Sequence, residues 1–119
     1  MKIFISQPMH GISDNHVERL RGNATRTMKE MFPNEHIEVF DQFHVPDVIP
    51  SGVKYDRVFR LGRSIQIMAE ADLIVFIGPC VIAKGCSIEN FIAQLYGIPC
   101  VYLDREGVNK TDEKGQIQS

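Results

Sequence analysis

The stretch AKGCSIENFIAQLYGIP, Ala83 to Pro99, places one glutamate, Glu89, near the start of a helix-forming segment. Two chemistries fit a carboxylate there. With Ser87 as the helix N-cap, Glu89 falls in the first turn. The helix dipole and the end amides then favour its ionised form by about 0.3–1 kcal/mol. That is ordinary helix-end chemistry. At the mouth of an α/β sheet, the same group is a candidate nucleophile. Position favours the second use, because the helix follows directly on the loop that leaves the apolar run DLIVFIG. Open α/β sheets hold their ligands at that edge.

Other segments at the same edge carry chemistry of their own. In GPCVIAKGCS the phosphate-loop pattern fails, because Ala83 stands at the second glycine position and Lys84 precedes Gly85. A looser contact to phosphate from the Gly85, Cys86 and Ser87 amides fits the start of a helix, and so does a plain glycine turn with a cap. The segment SQPMHG leaves the first apolar run. Gln7, Met9 and His10 can line a pocket there, and Gly11 permits close approach; a proline-shaped connector is the alternative. The four histidines, His10, His16, His36 and His44, lack metal-ligand spacing, so no metal or cofactor is expected. Cys80 and Cys100 read as small core residues. Cys86 at a helix start is placed for a lowered pKa, but no histidine lies near it in sequence to complete a hydrolase. Glu70 and Asp72 read as caps at the opposite edge.

Alternating elements would position these residues. KIFIS (2–6), HIEVF (36–40), DLIVFI (72–77) and IPCVYL (98–103) read as strands. Between them lie three helical patterns. The first is capped by Ser13 or Asp14 and carries Val17, Leu20, Ala24, Met28 and Met31 on one face. The second turns Val58, Leu61, Ile65 and Met68 inward. The third turns Ile88, Phe91, Ile92 and Leu95 inward and ends at Gly97. Residues 41–54 form a long loop with two prolines. The order βαβαβαβ predicts an α/β fold: a flavodoxin-like (Rossmann-like) parallel sheet with helices on both faces.

The 119 residues predict a single domain over 1–104 with a polar, mobile tail over 105–119. Hydrophobic residues are 44% and charged residues 24%, the ordinary globular range. A net charge of −2 gives no case for binding a nucleic-acid polymer or a membrane surface. No apolar run approaches the roughly 20 residues of a membrane span, and the N-terminus does not read as a signal peptide. Three cysteines without CxxC spacing suggest a reduced, cytoplasmic protein.

KIFISQPMHG, GRSIQIMAEADLIVFIG and KGCSIENFIAQLYGIPCVYL, in that order, resemble the nucleoside 2-deoxyribosyltransferase-like superfamily, over residues 1–104. The nearest likeness is to its small bacterial and phage proteins, whose first strand ends in SGPM. The resemblance implies a homo-oligomer with sites near subunit interfaces. It implies a nucleoside or nucleotide ligand, with Glu89 attacking C1′ to cleave the N-glycosidic bond or transfer the sugar. Ser6, Gln7, Pro8, Met9 and Gly11 would line the pocket, and Gly85 and Ser87 would meet sugar or phosphate. Two positions depart from the pattern. Ser64 stands where active members carry an aspartate, and Phe4 stands near the place of a tyrosine that steadies the glutamate. Asp56, Asp41 and His10 are candidate replacements. The alternative is a non-catalytic nucleotide-binding or sensing module of the same fold.

Overall fold

All five residues of Leu73–Ile77 are apolar and all five are buried. This is the behaviour of a strand covered on both faces. In a computed structural model, which describes residues 1–8, 11–40, 49–79 and 83–109, that strand lies inside a four-stranded sheet. The elements are β1 (Lys2–Ser6), α1 (Asp14–Met31), β2 (Glu38–Val39), α2 (Asp56–Met68), β3 (Leu73–Ile77), α3 (Lys84–Tyr96) and β4 (Cys100–Leu103). The sheet runs β2-β1-β3-β4 and every pair is parallel. The fold is α/β, a single flavodoxin-like domain. Among the described residues no helix is long and apolar enough to cross a membrane.

Side-chain alternation along the strands divides the core into two layers. Ile3, Ile5, Leu73, Val75, Ile77, Val101 and Leu103 meet Leu20, Ala24 and Met28 of α1. Phe4, Ile74 and Phe76 meet Met68 of α2 and Ala93 of α3 on the other face. Parallel order with right-handed crossovers demands this division. The chain moves one way from β1 to β2 and the other way from β2 through β3 to β4. α1 therefore covers one face, and α2 and α3 cover the other.

Local chemistry explains most boundaries. Ser13 caps α1, its Oγ accepting from the His16 amide at 3.2 Å. Gly97 ends α3 at φ 70°. Asp72 ties the lower edge, accepting from the Lys2 amide at 2.7 Å while its own amide donates to the Lys2 carbonyl at 2.8 Å.

Four expectations need correction. The second strand is only Glu38–Val39 rather than 36–40, although Phe40 still donates to the Ile3 carbonyl. β4 starts at Cys100, after Pro99, which has no amide to place in a ladder. On α2, Val58 is 67% exposed instead of inward; Leu61 and Ile65 are half-buried and Met68 alone is buried. On α3, Ile88, Phe91 and Leu95 are exposed, and only Ile92 of that expected stripe packs on the core. Residues 41–48 of the long loop lie outside the described residues, as do 110–119 of the expected tail.

The packed chain continues past β4 into a turn. Asp104 Oδ1 accepts from the amides of Glu106 and Val108. Thr27 donates to the Gly107 carbonyl at 3.0 Å, and Asn23 donates to the Glu106 carbonyl at 2.8 Å. Gly107 sits at φ +74°, and a Cβ there would stand 2.7 Å from the Leu20 carbonyl oxygen. Neither α1 backbone nor a left-handed alanine can yield cheaply. Gly107→Ala should lower stability by about 2 kcal/mol, read as a shift of the urea midpoint at unchanged slope.

Candidate functional site

β1 ends at Ser6, which pairs in register with Phe76 of β3. Ile3 and Ile5 point toward α1, so alternation turns Phe4 and Ser6 toward the α2 and α3 layer. The chain leaves β1 for one side of the sheet and leaves β3 for the other. That divergence is the topological switch point, the crevice where doubly wound sheets take ligands. Ser6 and Gln7 stand at its β1 side. α3, which leaves β3, supplies the other.

α3 begins at Lys84 with Ala83 as N-cap, so Glu89 is not in the first turn and Ser87 is not the cap. The helix-end account of Glu89 falls with that boundary. The residue is 6% exposed, the one buried carboxylate among the described residues. Its Oε1 accepts from Ser6 Oγ at 2.7 Å. Burial pushes the carboxyl from its ordinary 4.5 up to about 7, and the Ser6 hydrogen bond offsets part of that rise. At neutral pH the group is therefore divided between acid and carboxylate.

The rotation of α3 explains how a glutamate comes to be inside. Its buried residues are Cys86, Glu89 and Ala93. Cys86 and Ala93 are small, which allows close approach to the sheet. At about 100° per residue, Phe91 lies roughly 200° around the helix from Glu89. Two contacts to β4 hold this setting. Tyr102 donates to Asn90 Oδ1 and accepts from Gln94 Nε2 at 2.7 Å. Its ring stacks on Phe76 with centroids 5.2 Å apart.

Gln7 follows Ser6 and is 9% exposed. Both its side-chain Oε1 and Nε2 are buried without a hydrogen-bond partner. Leaving such a group unsatisfied costs about 1–3 kcal/mol. Native proteins accept that cost at few places, and ligand sites are among them.

The remaining expected site residues fall as follows. Pro8 is half-buried beside Gln7, and Gly11 is exposed at φ +77°. Gly85 is half-buried in the first turn of α3. Ser87 is exposed, and its amide already donates to the Ala83 carbonyl at 2.9 Å, so it is not available to a phosphate. Ser64 is half-buried on α2, and Asp56 is exposed in that helix's first turn. Met9, His10, Asp41, His44 and Cys80 lie outside the described residues. Cys86 is buried, and Cys100 is half-buried with its thiol donating to the Ile98 carbonyl. Among the described residues no group of three or more metal-ligating side chains gathers.

Sequence reasoning missed the pairing of Ser6 with Glu89. The signal was present in β1, where a hydroxyl two places beyond Phe4 shares its face. Phe4 itself is fully buried among Met68, Ile74, Phe76 and Ala93. The hydroxyl on Glu89 comes from Ser6 instead.

Compared with known proteins, the chain matches no protein-family model and no curated protein.

The raised carboxyl makes stability depend on pH. As pH rises, the unfolded chain releases this proton near 4.5, whereas the folded chain keeps it to about 7. Stability from this group is whole below 4.5, falls between 4.5 and about 7, and is level above. Glu89→Gln keeps the shape and removes the titration. Denaturant unfolding should show the variant gaining about 3 kcal/mol on wild type between pH 4.5 and pH 8. A parallel pH dependence in both proteins would count against a buried, desolvated Glu89.

Proposed function

We propose that this protein binds a nucleoside or nucleotide at the β1–β3 switch point and cleaves or transfers across its N-glycosidic bond, with Glu89 as nucleophile. The observation that supports the reading most is a buried carboxyl held by Ser6 at the ligand edge of the sheet. The likeness of the three sequence stretches to the nucleoside 2-deoxyribosyltransferase-like superfamily supports it as well. In the reaction, a Glu89 oxygen bonds to C1′ as the C1′–N bond breaks. The base departs with that electron pair and takes a proton from solvent water. Water or a second base then displaces Glu89 from C1′. Only ionised Glu89 can attack. Gln7, Pro8, Gly11 and Gly85 would line the pocket. The reaction requires no cofactor. The thiol of Cys100 suits a reducing, cytoplasmic setting.

One observation favours a second reading, a non-catalytic nucleotide-binding or sensing module. Burial raises the Glu89 carboxyl to about 7, which favours its neutral form, and Ser64 stands where active members of the resembled superfamily carry an acid. A neutral glutamate donates a hydrogen bond to a ligand as readily as it accepts one. Incubation with deoxynucleosides and their 5′-monophosphates, followed by chromatography for free base, separates the two. The enzyme reading expects base release that rises with pH through about 7, and at least a thousandfold loss in Glu89→Gln. Undiminished release by Glu89→Gln would rule out the covalent mechanism. Thermal stabilisation by a nucleotide without turnover, with activity appearing only in Ser64→Asp, would establish the module.

The outer face of α3 bears on oligomeric state. Ile88, Phe91, Leu95 and Tyr96 are 42–76% exposed, and Tyr55 and Val58 at the start of α2 are 73% and 67% exposed. Six large apolar side chains on the two helices that cover one sheet face exceed the scattered exposure of a monomer. The proposed occupant is a second copy of this chain, packed helix layer to helix layer in a homodimer. Sedimentation should give a dimer for wild type at micromolar concentration and a monomer for Phe91→Lys/Leu95→Glu. A monomeric wild type would overturn it.

A further inference from the structure

We infer that Gln7 reads the base, its carboxamide pairing with a nucleobase edge that presents a donor beside an acceptor. This rests on the nucleotide reading above and goes further, to how the ligand is recognised. Three observations meet at this residue. Gln7 is buried, and neither polar atom of its side chain has a partner. It directly follows Ser6, whose hydroxyl holds Glu89. It stands at the end of β1, on the ligand edge of the sheet.

A carboxamide offers one acceptor and one donor group side by side in a plane. A single sugar hydroxyl can donate or accept but does not present a donor and an acceptor side by side in one plane, and a phosphate matches only half of the pattern. Phosphate has acceptors alone, so it would leave Oε1 unpaired. A planar amide or amidine edge matches both atoms at once. Nucleobases supply such edges, as in the pairing of glutamine with the amino group and adjacent ring nitrogen of adenine. The buried site also explains why the match matters. Once bound, a ligand lacking either group would leave one Gln7 atom unpaired and shut away from water.

The arrangement divides labour within two consecutive residues. Ser6 orients the carboxyl that meets the sugar, and Gln7 meets the base attached to it.

The test is a binding cycle by calorimetry on wild type and Gln7→Met with two ligand pairs. One pair is deoxyadenosine monophosphate and purine deoxyriboside monophosphate, which lacks the amino donor. The other is thymidine monophosphate and its N3-methyl derivative, which lacks the ring donor. Wild type should bind one parent about tenfold or more tightly over its edge-deleted analogue. Gln7→Met should bind that parent and analogue within about threefold of each other, the signature of a coupled pair. The ligand-free variant should melt at the same temperature as wild type or higher, since an apolar side chain replaces unpaired polar atoms. A lower melting temperature, or loss of the fold, would show that the amide serves the fold and would overturn the inference. So would wild-type binding that ignores the edge, or discrimination that survives in Gln7→Met. Those outcomes leave the nucleotide reading standing. Failure of wild type to bind any of the four ligands would overturn both.

Discussion

Water is denied to one carboxyl, and much of the molecule is arranged around that fact. Glu89 has the hydroxyl of Ser6 in place of solvent, 83 residues away in sequence. The parallel pairing of β1 with β3 brings the end of β1 beside the helix that leaves β3. The contact therefore depends on the strand order, and it recovers only part of what burial costs the ionised folded state. A core made for stability alone would place leucine or methionine at this position, because an apolar side chain carries no desolvation penalty. Retaining the carboxyl makes sense where its charge is used.

α3 serves two purposes on opposite sides. Small residues on the inner side let the helix lie close to β3 and β4, and the Tyr102 hydroxyl fixes its rotation through Asn90 and Gln94. That setting keeps Glu89 under the helix and turns Phe91 and Leu95 outward. The two outcomes are geometrically inseparable. Any rotation that buried the outer apolar residues would carry Glu89 into solvent and break its bond to Ser6.

This coupling also explains what was legible in the sequence. The alternation of apolar strands with amphipathic helices sufficed for the α/β sheet, for β1 and β3, and for the caps at Ser13 and Gly97. Each of those depends on local pattern or local backbone chemistry. The inward faces of α2 and α3 were not legible, because hydrophobic periodicity does not distinguish a face that meets the sheet from one that meets a partner or water. On α3 the larger side chains lie outside and Cys86 and Ala93 inside, so counting large apolar residues points to the wrong side. Glu89 stood out by position, but its burial required knowing where α3 begins. A shift of the cap from Ser87 to Ala83 moves it from a helix end to an enclosed site. Gln7 was a candidate from its place after β1, whereas its missing partners are visible only in three dimensions.

The brevity of β2 has a consequence for how the folded chain coexists with its own copies. An edge strand is a template, and its danger grows with the number of unpaired backbone groups in line. Here that rim of the sheet holds two residues, one of them the exposed Glu38. At the other rim, β4 has four, bounded by Pro99 before it and by the Asp104 turn after it. An incoming strand finds too short a ladder at either side to register against. The described rims thus offer few unpaired backbone groups in line to a strand of another copy.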